Sequence, residues 1–234
     1  MPGKNYLIVG GSKGIGLSLV KKLTEAGDNS LVLSRSDDGI SNLAGVSHLT
    51  VDVVSEEISS EQLPEVLHGV AYCPGSINLK PFRGLKPSDF QADFEINILG
   101  AVKTIQAALS PLKKSENGSV VLFSTVAVSQ GMPYHASVAT AKGGIEGLSR
   151  ALAAELAPQI RVNCIAPSLT DTPLASRILS SPEKREAADK RHPLRRIGTP
   201  EDVASMAFFL LSDEASWVSG QTIGVDGGLA SIQS

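Results

Sequence analysis

The glycines at positions 10, 14 and 16, in the order G-x-x-x-G-x-G, form the pattern in this chain that most suggests chemistry. The pattern follows an apolar run at residues 6–9, which predicts a buried strand, and precedes apolar residues at helical spacing over residues 17–23. Glycine lets the backbone approach a ligand closely, and a helix start offers unpaired N–H groups with a partial positive charge. The stretch therefore favours an anionic ligand such as a pyrophosphate. A tight turn without a ligand is the alternative.

Other polar or small residues follow apolar runs where predicted strands end. Apolar runs at residues 31–33, 48–53, 70–73, 119–123, 161–165 and 221–225 alternate with helical patterns near 60–68, 87–109, 137–157 and 200–211, whereas residues 168–199 are polar and irregular. The alternation predicts one α/β domain over residues 1–234, a Rossmann-type doubly wound parallel sheet of about seven strands with helices on both faces. Ligands of such sheets bind outside the carboxyl ends of the strands, where this chain has Asp52, Pro74, Gly75, Ser124, Thr125 and Pro167.

Two basic residues stand near the predicted adenosine end of such a ligand. The ribose of NAD prefers an acidic acceptor after the second strand, but this chain has Ser34, Arg35 and Ser36 there, with Lys13 in the glycine loop. Two cations flanked by hydroxyls suit a 2′-phosphate. These residues favour NADP(H), although each basic residue alone could be a solvated surface charge.

The composition limits the cellular locations and the binding partners that this protein can have. The 234 residues are 42% hydrophobic and 19% charged, and the formal charge of −3 gives no basic field for nucleic acid. Cys73 and Cys164 lie in apolar runs, which favours buried free thiols in a reducing compartment. No apolar run is long enough to span a membrane, the first strand leaves no room for a signal peptide, and His48, His68 and His192 lack metal-ligand spacing. We expect a cytoplasmic protein without metal, membrane or nucleic-acid partners.

Seven stretches together resemble the short-chain dehydrogenase/reductase family over nearly the full chain. They are VGGSKGIG at 9–16, the Asp52-Val53 pair, Asn97 in INILG, Lys142 in ATAKGG, IRVNCIAP at 160–167, RRIGTPEDVA at 195–204 and SGQTIGVDGG at 219–228. The nearest similarity is to the 3-oxoacyl-acyl-carrier-protein reductase branch, a label that covers many substrates. The resemblance implies an NADP(H)-dependent oxidoreductase that interconverts a carbonyl and an alcohol on a small molecule, assembled as a homotetramer or homodimer.

The resemblance also implies roles for single residues. Lys142 would bind the nicotinamide ribose, Asn97 would fix a helix kink and a water, Gly75 would line the path to the nicotinamide, and Thr172 would hold the carboxamide. The rest of the implied cofactor site comprises Gly10, Gly14 and Gly16 at the pyrophosphate, Asp52 and Val53 at the adenine, and Ser12, Lys13, Ile15, Ser34, Arg35, Ser36, Pro167 and Thr170.

One position departs from the catalytic pattern of the family. That pattern is Tyr-x-x-x-Lys on one helix, with a serine about a dozen residues upstream. Val138 stands four residues before Lys142, and valine has no proton to give. Thr125 takes the place of the serine, with Ser124 beside it, so a hydroxyl is kept. Loss of one donor to a developing oxyanion typically costs about 2.7–4 kcal/mol.

Two neighbours could replace the missing phenol. The imidazole of His135 suits proton transfer near neutral pH, whereas Tyr134 could contribute only from a loop folded over the pocket. Both could instead line the pocket or lie at the surface. The chain also has Cys73-Pro74-Gly75 where the family usually has Asn-Ala-Gly, and Pro167-Ser168 where it has Pro-Gly.

Three functions remain compatible with these residues. The leading hypothesis is the oxidoreductase with an altered proton donor, and Val138 also fits a nucleotide-binding sensor or partner subunit without redox turnover. A methyltransferase with a similar glycine loop would leave Lys13, Arg35 and Lys142 without roles. Residues 168–199 contain seven Lys or Arg against four Asp or Glu, which could attract an anionic substrate or form a solvated mobile lid. Small residues in the helix near 137–157 predict close helix packing between subunits.

Overall fold

The computed structural model describes residues 3–232, which form a seven-stranded, wholly parallel sheet in the order β3-β2-β1-β4-β5-β6-β7. The strands are β1 (Asn5–Val9), β2 (Asn29–Ser34), β3 (Val46–Thr50), β4 (Gly69–Tyr72), β5 (Gly118–Phe123), β6 (Ile160–Pro167) and β7 (Thr222–Val225). The chain runs outward from β1 to β3 and then returns to the other side of β1 at β4. The crevice at the carboxyl ends of β1 and β4 is therefore the switch point where ligands bind in such sheets. The predicted fold class is confirmed.

Helices cover both faces of the sheet. Within residues 3–232 the α-helices are α1 (Gly14–Glu25), α2 (Pro87–Phe94), α3 (Gly100–Lys113), α4 (Ala136–Leu156), α5 (Pro182–Arg191) and α6 (Pro200–Leu211). Side chains of β1 alternate between two cores: Leu7 and Val9 pack with α3 and α4, whereas Tyr6 and Ile8 pack with α1 and α6. The inner strands β1, β4, β5 and β6 are buried on both faces, and their apolar runs were sufficient to predict them, whereas the edge strands β3 and β7 are only partly buried.

Two predicted elements are shorter than expected. β3 ends at Thr50, so Asp52 and Val53 lie in the following turn rather than in the strand. The helix predicted over residues 60–68 is only a 3-10 turn at Ser60–Gln62. Leu63 is extended, with φ −91° and ψ 153°, because the following proline disfavours helical backbone at the preceding residue.

The helix predicted over residues 87–109 is interrupted by a π-helical turn at Glu95–Leu99 that joins α2 to α3. Asn97 lies in this turn and is buried, with its Nδ2 donating to the carbonyl oxygen of Asp93 at 2.7 Å. A π turn shifts the helical register, and such turns occur often at functional sites.

Residues 168–199, here called the cap segment, contain the helix α5 and a 3-10 turn at Pro173–Ala175, where the sequence analysis predicted irregular structure throughout. Ser181 accepts a backbone hydrogen bond in the first turn of α5, and Pro182 suits that turn because its missing N–H has no helical partner. A bidentate ion pair from Arg185 to Asp171, at 2.7 and 3.0 Å, ties α5 to the start of the segment. The segment has a small core of its own, formed by Leu169, Ala175, Leu179, Ala188 and Ile197.

Candidate active site

The turn between β1 and α1 is a backbone cradle built by its glycines. Gly10 and Gly14 adopt left-handed backbone with φ of 75° and 55°, a region that favours glycine. A Cβ on Gly16 would overlap the carbonyl oxygen of Gly10, so this close approach requires a third glycine. Lys13 caps α1 without a side-chain acceptor, and the first turn of α1 has no acidic residue. The N–H groups at the helix start therefore remain available to an external anion.

A cleft of about 400 Å³ runs beside this cradle toward the predicted adenosine end. The predicted cofactor-binding residues that line it are Gly10, Ser12, Lys13, Gly14, Ile15, Gly16, Ser34, Arg35, Asp52, Val53, Gly75 and Thr172. Thr172 also lies against the cradle, because a Cβ on Gly14 would approach its methyl carbon at 3.3 Å. The cleft therefore joins residues from four strand ends and from the start of the cap segment.

The basic residues of the cleft have an acidic neighbour that the sequence prediction missed. Lys13 Nζ lies 3.0 Å from Asp38 Oδ2, and the Ser36 hydroxyl donates to the same oxygen at 2.9 Å. Two hydrogen bonds hold the pKa of Asp38 below its usual range, and the one from Lys13 has a larger effect than the one from Ser36. The Ser34 hydroxyl is engaged within the loop, donating to the Ser36 carbonyl at 2.7 Å. Arg35 is exposed at the rim of the cleft.

Lys142 lies where this cleft meets a second cavity. Its Nζ donates to the carbonyl oxygen of Phe123 at 2.7 Å, and burial lowers the pKa of its ammonium to about 8. A Cβ on Gly75 would lie 3.2 Å from Lys142 Nζ and 3.3 Å from Asn97 Oδ1, so a side chain at that position would crowd both polar atoms. The predicted grouping of Lys142, Asn97 and Gly75 therefore corresponds to one place in the structure.

A buried polar network continues from Asn97 to residues that the sequence prediction did not include. Asn97 Nδ2 donates to Ser76 Oγ at 3.1 Å, and the Ser76 hydroxyl donates to Asp93 Oδ1 at 2.6 Å. Within the described residues, Asp93 Oδ2 and Asn97 Oδ1 are buried without a hydrogen-bond partner. Unpaired buried oxygens are costly, so these two suit a water or a ligand group at this point.

Val138 lies one helical turn before Lys142 on α4, is buried, and lines the second cavity. Thr125, after the end of β5, is half-buried in the same wall, and its Oγ1 accepts from the N–H of Ala127 at 3.3 Å. Its own proton is thus available to a ligand. Ser124 is not available in that way, because its hydroxyl donates to Glu146 Oε1 at 2.7 Å.

The two predicted substitutes for the phenol lie in different environments. Tyr134 has φ 69° and is 59% exposed, and it is not part of the cavity lining, although its carbonyl oxygen accepts from the N–H of Lys80. His135 lines the cavity, and its Nδ1 lies 2.7 Å from the carbonyl oxygen of Pro133. The structure therefore brings His135, but not Tyr134, to the predicted substrate site.

The second cavity has a volume of about 250 Å³ and a mostly apolar wall. The cap segment closes one side with Leu169, Leu174, Ala175, Ile178 and Ala188, and the remaining apolar residues include Ile77, Leu79, Met132, Val138 and Leu229. Pro167 and Thr170 also line it, and Thr170 Oγ1 donates to the Ser168 carbonyl at 3.1 Å. This shape suits a small substrate with an apolar body.

Half-buried Ser168 and buried His192 form a hydrogen-bonded pair in this wall that the sequence prediction missed. Ser168 Oγ lies 2.9 Å from His192 Nε2, and His192 Nδ1 lies 2.8 Å from the carbonyl oxygen of Ala188. His192 is only 3% exposed. The one available sequence signal for this pair was Ser168 itself, which follows Pro167 where the family usually has glycine. The histidine lies 24 residues further along the chain, so no local pattern connects it to Ser168.

The thiol of Cys73 borders both the cleft and the cavity. Burial raises its pKa to about 12, and burial also raises the pKa of Cys164 to about 12. Both thiols are therefore neutral near pH 7 and unsuited to act as nucleophiles.

Residues 3–232 contain no group of three or more His, Cys, Asp or Glu placed to hold a metal ion, and no helix among them is long and apolar enough to cross a bilayer.

Residues 9–230 match the family model described as enoyl-(acyl carrier protein) reductase. The chain is 33% identical over 245 residues to the 3-oxoacyl-[acyl-carrier-protein] reductase of Thermotoga maritima, with 98% of each chain covered. This chain belongs to the short-chain dehydrogenase/reductase family. L-xylulose reductase of Bos taurus is a further relative in this family, 31% identical over 240 residues with 97% of each chain covered.

A solved structure has almost the same fold. The structure of ElxO with NADP bound gives a TM-score of 0.87 at 26% identity, covering 98% of this chain and 100% of that one. The family consists of oxidoreductases that act on carbonyl and alcohol groups with nicotinamide cofactors, and this chain shares its sheet and its glycine turn.

Proposed function

We propose that this protein is an NADP(H)-dependent oxidoreductase that interconverts a carbonyl and an alcohol on a small, largely apolar substrate, with an atypical proton-donor arrangement. The observation that carries the proposal is the continuity of the two cavities. The cleft beside the glycine turn and the apolar cavity share lining residues, which are Ile15, Cys73, Gly75, Thr172 and Leu174. Lys142 lies at their boundary. One extended ligand could occupy the cleft and present its reactive end to a substrate in the cavity.

The residues present fit a dinucleotide. The glycine cradle and the start of α1 would hold the pyrophosphate, because Gly16 and Gly10 leave no room there for a side chain. Lys142 would hold the nicotinamide ribose, and Asp52 and Val53 would border the adenine. Thr172, Thr170 and Pro167 would surround the nicotinamide carboxamide from the side of the cap segment.

When bound, NADP(H) supplies or accepts the hydride. The chain's own residues then have three tasks. Thr125 would donate its hydroxyl proton to the substrate oxygen as a hydrogen bond, since its Oγ1 already accepts from Ala127 N. The ammonium of Lys142 would favour negative charge nearby. Val138 and the apolar cap residues would exclude water from the reacting carbon.

Lys13 and Arg35 support the preference for NADP(H), because two cations at the adenosine end favour a 2′-phosphate. The ion pair of Lys13 with Asp38 weakens this support, since a phosphate would have to compete with a carboxylate already in place. Arg35 therefore carries the larger part of the proposed preference.

Val138 favours a second candidate, an NADPH-binding sensor or partner subunit without redox turnover. The apolar valine lies one turn from Lys142 and cannot donate a proton. Binding and chemistry are separable, so an intact cofactor cleft fits both candidates.

The test is NADPH oxidation across a panel of ketones, quinones and 3-oxoacyl thioesters, together with calorimetric titration of NADPH. We expect tight NADPH binding and turnover with at least one substrate class. Tyr134→Phe should leave that turnover unchanged because Tyr134 is exposed outside the cavity, whereas His135→Ala tests the imidazole in the wall. Tight NADPH binding without turnover of any substrate would favour the sensor.

Assembly and location stay predictions. In the single chain Trp217 is 99% exposed and Phe82 77% exposed, and Gly144 and Gly147 of α4 are also exposed. Exposed large apolar side chains of this kind often mark interaction surfaces, which supports the proposed homotetramer or homodimer. The proposed location is the cytoplasm.

A further inference from the structure

The proposed substrate cavity contains a hydrogen-bonded serine–histidine pair in which His192 is buried and Ser168 is half-buried. We propose that Ser168 and His192 move the proton in the carbonyl/alcohol reaction, with Ser168 contacting the substrate oxygen and His192 acting through Ser168. The inference rests on the proposed oxidoreductase function. It assigns the task of the missing phenol to residues from the end of β6 and the end of α5.

The hydrogen bonds of His192 define its tautomer. The carbonyl oxygen of Ala188 can only accept, so His192 Nδ1, 2.8 Å away, carries a proton. In the neutral ring Nε2 is then an acceptor, and the Ser168 hydroxyl donates to it at 2.9 Å. The imidazole is therefore oriented as a base toward Ser168, with its other nitrogen anchored by α5.

The strand register relates the segments that contain Ser168 and Thr125. Phe123 pairs with Ile165, and the N–H of Val126 donates to the carbonyl oxygen of Pro167 at 3.1 Å. Thr125 and Ser168 are therefore on neighbouring segments that leave the carboxyl ends of β5 and β6. Both line the cavity together with Lys142.

Other groups near the cavity are less suited to this task. Ser124 donates to Glu146, Tyr134 is exposed outside the cavity, and the Cys73 thiol is held neutral by burial. His135 has its Nδ1 2.7 Å from a carbonyl oxygen, and no hydroxyl of residues 3–232 bonds its Nε2. The hydroxyl of Ser168 and both ring nitrogens of His192 are engaged, so the imidazole is held in one orientation against a serine that lines the cavity.

In alcohol oxidation the proposed step consists of one hydride transfer and two proton transfers. The substrate C–H bond breaks and its hydride, with both electrons, goes to the oxidised nicotinamide cofactor. The substrate O–H proton goes to Ser168 Oγ, the Ser168 proton goes to His192 Nε2, and the C–O bond becomes a carbonyl. His192 ends as an imidazolium whose Nδ1–H remains on the Ala188 carbonyl. Carbonyl reduction is the reverse, beginning from the imidazolium.

The first test uses nitrogen NMR of protein labelled with ¹⁵N-histidine, which reads the pair without turnover. His192→Gln assigns the His192 signals among the four histidines. We expect a protonated Nδ1 and an unprotonated Nε2 in the native protein, and a shift of the Nε2 signal in Ser168→Ala. Ser205→Ala is the matched control, because Ser205 is exposed on α6 and its hydroxyl donates to the Glu201 carbonyl. This variant should leave the signal in place. A protonated Nε2 would overturn the relay as written.

The second test measures oxidation of the alcohol that corresponds to the carbonyl compound found in the panel. We expect kcat to fall about 100-fold in Ser168→Ala and His192→Gln, within the usual range for general acid–base groups, with NADP⁺ affinity within about twofold of native. Ser168→Thr keeps a hydroxyl and should restore part of the rate. If the native protein turns over the substrate and Ser168→Ala keeps the native kcat, the relay is overturned and the oxidoreductase function stands. Absence of any native turnover, with NADPH bound, contradicts the oxidoreductase function and the relay together.

Discussion

The cofactor cleft and the substrate cavity are built by different means. In the cleft, the decisive contacts belong to the backbone of one continuous turn, where Gly10, Gly14 and Gly16 permit conformations and approaches that other residues do not. In the cavity, the decisive groups are side chains from separate elements, including Val138 on α4 and the Ser168–His192 pair. The first region is therefore intolerant of any added atom, whereas the second can exchange one functional group for another. This difference is the physical basis of our proposal that the chain keeps the cofactor site of the family with another proton donor.

The largest effect should follow from a change in the backbone-built cleft. In Gly16→Ala the new methyl group would overlap the Gly10 carbonyl oxygen, so the turn must shift. Overpacking of this kind costs up to about 3 kcal/mol, and NADPH affinity should fall about 100-fold by calorimetry. Gly84→Ala is the matched control, because nothing lies within 4 Å of its new Cβ. Unchanged affinity in Gly16→Ala would contradict a pyrophosphate site at this turn.

Lys142 links the two regions, and its burial should be visible in stability. Because its pKa is lowered to about 8, the folded state binds fewer protons than the unfolded state between about pH 8 and pH 10.5. The free energy of unfolding should therefore rise with pH across that window, and the cost of burying the charge, up to about 3 kcal/mol, is fully present below it.

Lys142→Met should remove this rise and increase stability at pH 7 while weakening NADPH binding. Denaturant unfolding at pH 7 and pH 10 measures the difference, with Lys21→Met, an exposed lysine on α1, as control. The raised pKa values of Cys73 and Cys164 act in the opposite direction, and both thiols are present in every variant, so the difference reports Lys142 together with its charge interaction with these thiols. An identical pH dependence in the native and Lys142→Met proteins would refute the buried charge.

The side-chain-built cavity can be tested by enlarging Val138. If another group donates the proton, Val138→Tyr and Val138→Phe should both lower turnover about tenfold, because either ring fills a cavity of about 250 Å³ near the reacting atoms. The NADPH oxidation assay makes the comparison. Activity gained in Val138→Tyr and not in Val138→Phe would favour the sensor, since only the phenol adds a donor.

The smallest effect should come from the exposed rim of the cleft. Arg35→Asp removes a cation and adds a repelling charge near the proposed 2′-phosphate. We expect NADPH affinity to fall about fivefold, in the range of an exposed charge contact, while NADH affinity stays nearly constant. Arg150→Asp, on the exposed side of α4, controls for the change in net charge. Equal affinity of the native protein for NADPH and NADH would contradict the preference.

The same difference between the regions decides what the sequence could predict. The glycine turn, the sheet and the one-turn spacing of Val138 and Lys142 are local patterns, so the sequence was sufficient to predict them. The Ser168–His192 pair and the Ser76–Asp93 contact join residues 24 and 17 positions apart, and no local period connects them. Tyr134 and His135 are adjacent in sequence, but the left-handed backbone at Tyr134 separates their side chains, and only the fold assigns one to the cavity.

A crystal structure of the NADPH complex tests the central claim most directly, because that claim concerns how the two regions meet. The account predicts the pyrophosphate on the glycine turn, the 2′-phosphate near Arg35, Lys142 on the nicotinamide ribose, and nicotinamide C4 facing the cavity wall that contains Thr125 and Ser168. A nicotinamide lying outside the cavity, or filling it against Val138 with no space for a substrate, would contradict the oxidoreductase function.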